Sequence, residues 1–184
     1  PGKNLGAYGD GGAITTNNIE LSVQCRKIAN HGRTAKYDHD FEGRNSRLDS
    51  LQAAILNVKL KYLDGWIDKR IQVADKYLKG LHGVGDIILP IRQSWSKQAY
   101  HLFVIRTNKR NELQLYLTEN NIQTGIHYPI SLPKLKAYDY LGQANEQMLA
   151  NSLDASLLSL PIGEHLTDND IKYAINTIKL FYKL

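Results

Sequence analysis

Apolar residues recur at helical spacing along residues 46–81, and this periodicity predicts the longest helix of the chain. The spacing of Ser46 and Asp49, S-x-x-D, predicts a capping box at its start. Gly65 lies inside the pattern and marks a bend or a break. The apolar stripe predicts a face packed against a core, and it consists of Leu48, Leu51, Ile55, Val58 and Tyr62.

Shorter helical patterns lie on either side of the long one. Asn17 or Asn18 can cap a helix that runs to about residue 30, and Gly32 is placed to end it. The last helix is predicted to begin with a second capping box at Thr167. The remaining helical periodicity predicts helices over residues 109–120, 143–157 and 167–183.

Strand signals complete the pattern. Runs rich in β-branched and aromatic residues predict strands over residues 11–16, 86–90, 100–106 and 122–129. In the second half of the chain these strands alternate with the predicted helices. An order of strand, helix and strand is typical of a small α/β domain, so the sequence predicts the α/β class.

The charge balance of the chain is mildly basic. The 184 residues include 23 basic and 18 acidic side chains, a formal net charge of +5. The excess forms no basic block or aromatic-interleaved patch, so it does not support nucleic-acid binding. No apolar stretch is long enough to span a membrane. The single Cys25 cannot form an internal disulfide and fits a reducing compartment, which favours the cytoplasm.

The first candidate for chemistry is Lys3, which precedes a Gly-rich turn and a β-rich run in PGKNLGAYGDGGAITT. Such a lysine is either a solvated surface residue or a residue held at a strand end, where its amine can form a Schiff base. The segment alone leaves both interpretations open. His31 and His39 lack the spacing of a metal motif, so the sequence predicts no metal site.

Two further motifs have ordinary structural explanations as well as functional ones. Asn45, in GRNSRLD, is a good turn residue before a helix. His127 and Tyr128, in GIHYP, end a predicted strand and suit half-buried polar positions with satisfied hydrogen bonds. The residues by themselves do not decide between these roles and a binding site.

Four motifs in a fixed order change this assessment: PGKNLGAYGDGGAITTN, GRNSRLDSLQAAIL, GIHYP and LSLPI. Together they closely resemble the sugar aminotransferases of the DegT/DnrJ/EryC1/StrS family, which are pyridoxal-phosphate enzymes of the aspartate-aminotransferase fold, fold type I. The resemblance covers nearly all of the chain. It implies that the chain is the C-terminal half of a longer protein, because in the family most of the large domain precedes these motifs.

The resemblance also implies a domain organisation. Residues 1–45 would be the C-terminal part of the large cofactor-binding domain. Residues 46–82 would form a long linking helix near the dimer contact. Residues 83–184 would form the small C-terminal α/β domain.

By resemblance, each candidate residue has a role. Lys3 would carry pyridoxal 5′-phosphate and then, displaced by an incoming amine, act as the base that moves a proton between substrate and cofactor. Asn45 would reach across a homodimer to the cofactor phosphate of the other subunit, as a neutral amide donor. His127 and Tyr128 would contact the nucleotide-sugar.

The resemblance adds two loop residues to the candidate site, and the sequence departs from the family pattern at two positions. His31 and Tyr37 are implied as contacts from a substrate loop. Arg44 stands where the family usually has an aromatic residue between the Gly and the Asn of its G-x-N-x-R motif. Pro133 stands where many relatives have another His, so one substrate contact is expected to be missing.

The activity implied is transfer of an amino group from glutamate to the keto carbon of a nucleotide-linked deoxysugar. KYDHDFEGRNSRLD and GIHYP look most like members that act on 3-keto sugars linked to dTDP. Lys3 argues against the dehydratase branch of the family, which has His at this position. The alternative is a non-catalytic dimerisation or small-domain fragment of such an enzyme, since half of the cofactor site would lie outside these residues.

Overall fold

The computed structural model describes residues 2–183, and contacts within the chain divide it into two units, Pro1–Leu63 and Asp64–Leu184. Its strands are β1 (Phe103–Arg106) and β2 (Leu157–Leu160). The domain boundaries implied by the resemblance, after residues 45 and 82, remain a prediction about the whole protein. The helices are α1 (Ile19–Ala29), α2 (Ser50–Leu60), α3 (Leu63–Gly80), α4 (Arg110–Glu119), α5 (Leu149–Leu153) and α6 (Asp168–Phe181).

In the first unit, α1 begins and ends as its sequence predicts. The side chain of Asn18 accepts a hydrogen bond from the Leu21 amide at 3.0 Å, which satisfies one of the free donors at the helix start. At the other end Gly32 adopts a left-handed φ of 71°, and its amide donates to the Lys27 carbonyl at 2.7 Å. Among the described residues of this unit, Gly32 alone is buried, so neither α1 nor α2 has a core of its own.

The long helix predicted over residues 46–81 is wrong in two respects. It is two helices, α2 and α3, separated at residues 61–62, while Gly65 lies inside α3. The capping box at Ser46 is also absent: α2 starts later, after Asp49, whose side chain makes no capping bond. Apolar periodicity continues across a two-residue turn, and for this reason the pattern did not locate the break.

The strand predicted at residues 11–16 is likewise wrong, because these residues belong to no strand. Strand formation needs a pairing partner, and β-propensity alone does not supply one.

In the second unit, β1 and β2 pair antiparallel, with Phe103 opposite Leu160 and Arg106 opposite Leu157. Two of the predicted strands form only a single β-bridge each, one to β1 and one to β2. Ile88 bonds with Arg106, and Gly125 bonds with Ser159, each through two backbone hydrogen bonds of 2.7–3.1 Å. Residues 86–90 and 122–129 therefore extend the sheet at one point each.

The core of the second unit forms around this sheet. On β1 the side chains of Phe103 and Ile105 are buried and those that alternate with them, Val104 and Arg106, are partly exposed, as the period of a strand requires. Helix α6 starts with the predicted capping box, in which the Thr167 side chain and the Asp170 side chain each bond the other residue's amide. The largest fully buried side chains are Tyr77, Leu81, Phe103, Ile105, Leu113, Leu117, Leu158, Ile171 and Ile178.

Residues 132–153 are less regular than predicted. The helix expected over residues 143–157 is reduced to α5, and short 3-10 turns precede it. Gly142, with a φ of 67°, separates two of these turns and ends helical geometry there. In the part of the chain from residue 2 to residue 183, no helix is long and apolar enough to cross a membrane.

Candidate functional site

The segment after Lys3 is held by side chains of α2. Lys3 itself is exposed. The ammonium group of Lys59 donates to the Gly6 carbonyl, and the Gln52 side chain donates to the Asp10 carbonyl at 3.1 Å. Lys59 also lies over the ring of Tyr8, 5.6 Å from its centroid. Polar contacts from one helix therefore fix the backbone that follows the candidate lysine.

Asn45 lies at the closed end of a loop, residues 30–45. Asn30 and Asn45 form an antiparallel bridge. The His31 amide donates to the Arg44 carbonyl at 3.0 Å, and the Arg44 amide donates to the Ile28 carbonyl at 2.7 Å. Arg44, which departs from the family pattern, therefore still closes the loop through its backbone.

The loop itself carries two of the predicted substrate contacts. Tyr37 is 80% exposed, and the ammonium group of Lys36 lies 5.1 Å from its ring centroid. His31 is also exposed, and its carbonyl lies 2.8 Å from Nδ1 of His39. Among residues 2–183, no group of three or more His, Cys, Asp or Glu side chains could hold a metal ion.

An ion pair fastens the loop to α1. The ammonium group of Lys27, in the last turn of the helix, lies 2.6 Å from the carboxylate of Asp40. The hydrogen bond from Lys27 holds the pKa of Asp40 below its usual value. The loop is therefore joined to the helix by backbone bonds at its ends and by a charge pair near its middle.

The side chain of Asn45 is exposed, and one of its two polar atoms is already used. Its Oδ1 accepts a hydrogen bond from Nε of Arg47 at 3.1 Å. The amide nitrogen carries the donor hydrogens of this side chain, so it is the atom that can donate to a ligand.

His127 and Tyr128 lie in the second unit. Nδ1 of His127 is 2.9 Å from the hydroxyl of Ser159, which is buried on β2. The two rings meet edge to face, with centroids 5.5 Å apart and an interplanar angle of 80°. His127 is thus fixed by a hydrogen bond, whereas Tyr128 is 64% exposed.

Tyr128 also lines an apolar cavity of about 540 Å³. Its wall continues through Pro129, Ile130, Leu132 and Leu153, among others. At its polar edge, the carboxylate of Asp154 accepts from the Lys134 ammonium at 2.9 Å, and this bond lowers the pKa of Asp154.

The predicted residues therefore fall into two groups. Lys3, His31, Tyr37 and Asn45 lie in the first unit, and His127 and Tyr128 lie in the second. The sequence alone does not single out the residues that hold these side chains, which are Lys27, Asp40, Arg47 and Ser159. Two of them had a signal: Arg47 follows Asn45 within the same motif, and Ser159 is a lone polar residue in the apolar run LLSL.

The family model that matches this chain is that of the DegT/DnrJ/EryC1/StrS aminotransferase family, over residues 1–179. The protein named as erythromycin biosynthesis sensory transduction protein EryC1, from Saccharopolyspora erythraea, is 44% identical over 97% of this chain and 49% of its own length. The dTDP-3-amino-3,4,6-trideoxy-alpha-D-glucose transaminase of Streptomyces venezuelae is 43% identical over 90% of this chain and 44% of its own length. Other relatives are named for UDP-linked sugars.

Solved structures are similar to the chain as well. The crystal structure of S. venezuelae DesV in complex with a ketimine intermediate has a TM-score of 0.92 and 38% identity, over 100% of this chain and 50% of its own. NtdA from Bacillus subtilis, with bound cofactor PMP, has a TM-score of 0.85 and 29% identity, over 98% of this chain and 44% of its own. The chain thus spans about half the length of these relatives and matches as the C-terminal part of fold type I.

Proposed function

Because the chain belongs to the DegT/DnrJ/EryC1/StrS aminotransferase family, we propose that the protein carrying it transfers an amino group from glutamate to a keto carbon of a dTDP-linked deoxysugar. The observation that carries the proposal is the family match, which runs over residues 1–179 and includes Lys3. Relatives named as dTDP-aminosugar transaminases support the choice of nucleotide.

The residues of the first unit fit pyridoxal phosphate. Lys3 offers an exposed primary amine, the group that condenses with an aldehyde, and Asn45 offers an amide nitrogen, which suits a phosphate oxygen. Once bound, this cofactor supplies the electron sink that transamination needs. Lys3 and Asn45 are therefore the residues that we propose hold it, with Asn45 serving the partner subunit of a homodimer.

Lys3 has two tasks in this proposal. Its amine would hold the cofactor until an incoming amine substrate takes its place. The freed Nζ would accept the proton from the amine-bearing carbon of glutamate, and would later give a proton to the carbon that bore the keto group of the sugar. An arginine could do neither, because it keeps its proton.

The second unit supplies the proposed sugar contacts. His127 is oriented by Ser159, and Tyr128 presents its hydroxyl from an exposed position. His31 and Tyr37 belong to an ordered loop of the other unit and are proposed as further substrate contacts. We also propose a cytoplasmic location, since the lone Cys25 suits a reducing compartment.

The second candidate function is a non-catalytic fragment. It is favoured by two observations on the chain by itself: the chain spans about half the length of its relatives, and its first unit buries only Gly32 among the described residues. Under this alternative the 184 residues dimerise or fold without turning over substrate.

The experiment is borohydride reduction of the native whole protein, followed by digestion and peptide masses. We expect a phosphopyridoxyl group on the Lys3 peptide, lost in Lys3→Ala together with transamination. Lys79→Ala, which removes an exposed lysine at the end of α3, is the matched control and should keep both. Turnover in Lys3→Ala would refute the assignment. Modification of the whole protein, but not of the isolated 184 residues, would support the fragment alternative for this chain.

Isotope transfer tests the substrates. With ¹⁵N-glutamate and a dTDP-linked 3-keto sugar, we expect ¹⁵N in the sugar product by mass spectrometry. Product from the UDP-linked sugar alone would overturn the choice of dTDP and leave the cofactor assignment intact.

A further inference from the structure

The loop that carries Asn45 closes through two glycines in backbone contact. A Cβ added to Gly43 would fall on the amide nitrogen of Gly32 and within 2.5 Å of the His31 carbonyl carbon. A Cβ added to Gly32 would fall on the Phe41 carbonyl, with the carbonyl carbon 2.7 Å away. These neighbours are backbone atoms, which cannot rotate aside as a side chain can.

The two glycines are constrained differently. Gly32 has a left-handed φ of 71°, so it is needed for conformation as well as for space. Gly43 is not among the residues with positive φ, so the constraint on it is space alone. An alanine at Gly43 can adopt the same backbone angles, but its Cβ would force apart the two loop segments that contain Gly32 and Gly43.

That separation would move Asn45. Asn45 follows Gly43 by two residues, and the backbone bonds of Arg44 lie between them. The bond from His31 to Arg44 and the bridge from Asn30 to Asn45 both cross the loop where Gly32 and Gly43 touch. The position of the Asn45 amide is therefore set by how closely the loop segments at Gly32 and Gly43 approach each other.

We propose that Gly43, through its backbone contact with Gly32, is a positioning residue that places the Asn45 amide for the cofactor phosphate. This proposal rests on the cofactor assignment proposed above. It assigns Gly43 no contact with the cofactor and predicts an effect that depends on the phosphate group.

The test compares the binding of pyridoxal 5′-phosphate with that of pyridoxal, which lacks the phosphate, in the whole protein. Gly43→Ala should weaken binding of the phosphorylated form by about ten-fold to a hundred-fold, the range for one hydrogen bond to a charged group, and leave pyridoxal binding unchanged. Asn45→Ala should show the same pattern. The double variant should bind no more weakly than Asn45→Ala, because both changes remove one interaction.

The control is Gly65→Ala, in α3, where an added Cβ meets nothing within 4 Å. It should leave both affinities unchanged. If Gly43→Ala weakened both ligands equally, left the phosphorylated form unaffected, or added its full effect to that of Asn45→Ala, the proposal would be overturned. Failure of the unaltered protein to bind pyridoxal 5′-phosphate would instead overturn the proposed function.

A second variant covers the case in which Gly43→Ala does not fold. Asp40→Ala removes the ion pair with Lys27 that fastens the same loop to α1, without adding bulk. Because exposed ion pairs are weak, we expect a loss of about three-fold, again confined to the phosphorylated ligand. An equal loss for both ligands, or no loss, would count against the proposal.

Discussion

Replacing Tyr77 by Phe should stabilise the second unit, although it removes an oxygen from the centre of the core. Tyr77 is fully buried on α3, and its hydroxyl has no hydrogen-bond partner among residues 2–183. Burial, and next the charge of Asp170, raise the pKa of this phenol, so it stays protonated. Its ring packs on Phe103 with centroids 5.1 Å apart, a contact that phenylalanine would keep.

The size of the effect follows from what the hydroxyl loses on folding. A buried hydroxyl without a partner costs about 1–3 kcal/mol in proteins. Part of that gain is offset by the small space left at the oxygen position, so we expect Tyr77→Phe to raise the free energy of unfolding by about 1 kcal/mol.

Tyr182→Phe is the matched comparison, because it deletes the same atom from a paired hydroxyl. The Tyr182 hydroxyl lies 2.7 Å from both Thr107 Oγ1 and the Asp86 carboxylate. Removing a bond to a charged group should cost about 1.5–3 kcal/mol, less the part screened by solvent. The two substitutions should therefore have opposite signs.

The assay is native-state hydrogen exchange on peptides from β1 and α4, which reports the free energy of opening of the second unit. Protection should rise in Tyr77→Phe and fall in Tyr182→Phe. A loss of protection in Tyr77→Phe would contradict this prediction and would mean that the Tyr77 hydroxyl has a partner.

Three further outcomes are expected for the second unit. Phe103→Ala should lower its stability by about 3–5 kcal/mol, the cost of a large cavity in a core, measured by urea unfolding. Thr167→Ala should lose about 1 kcal/mol with the capping box, and Thr167→Ser, which keeps the hydroxyl, should restore most of it. Burial raises the pKa of Asp86, but the hydrogen bonds that it accepts, first from Thr107, hold the net value below the usual one. Its stabilisation is therefore present above the unfolded pKa of about 3.9 and is lost as pH falls through the folded value; Asp86→Asn should flatten this acid dependence.

Local signals predicted the starts of α1 and α6 but not that of α2, where the capping box expected at Ser46 is absent. Asn18 and Thr167 are true caps, because a capping side chain bonds residues only two or three positions away. The stretch 11–16 and the stretch 122–129 failed as full strands for the opposite reason: pairing depends on residues far away in the chain. The break after α2 was missed because the apolar period continues across it.

For the candidate site, the proposed functional residues could be predicted from sequence motifs, but the contacts that hold them could not. Sequence motifs pointed to Lys3, Asn45, His127 and Tyr128. The family match supports the resemblance from which their proposed roles come. The contacts that hold them could not be predicted, since they join positions distant in sequence. The bond from His127 to Ser159 spans 32 residues, and the ion pair from Lys27 to Asp40 spans 13.

The uneven burial of the two units has a consequence for synthesis of the protein on the ribosome. Residues 1–63 emerge before the second unit and bring almost no core of their own, so Leu51, Val58 and Leu60 face water until other chain covers them. The stretch LQAAILNV contains no charge, a composition prone to association between nascent chains. Lys59, directly after it, is placed as a gatekeeper, and this apolar segment would be a target for chaperones that bind nascent chains.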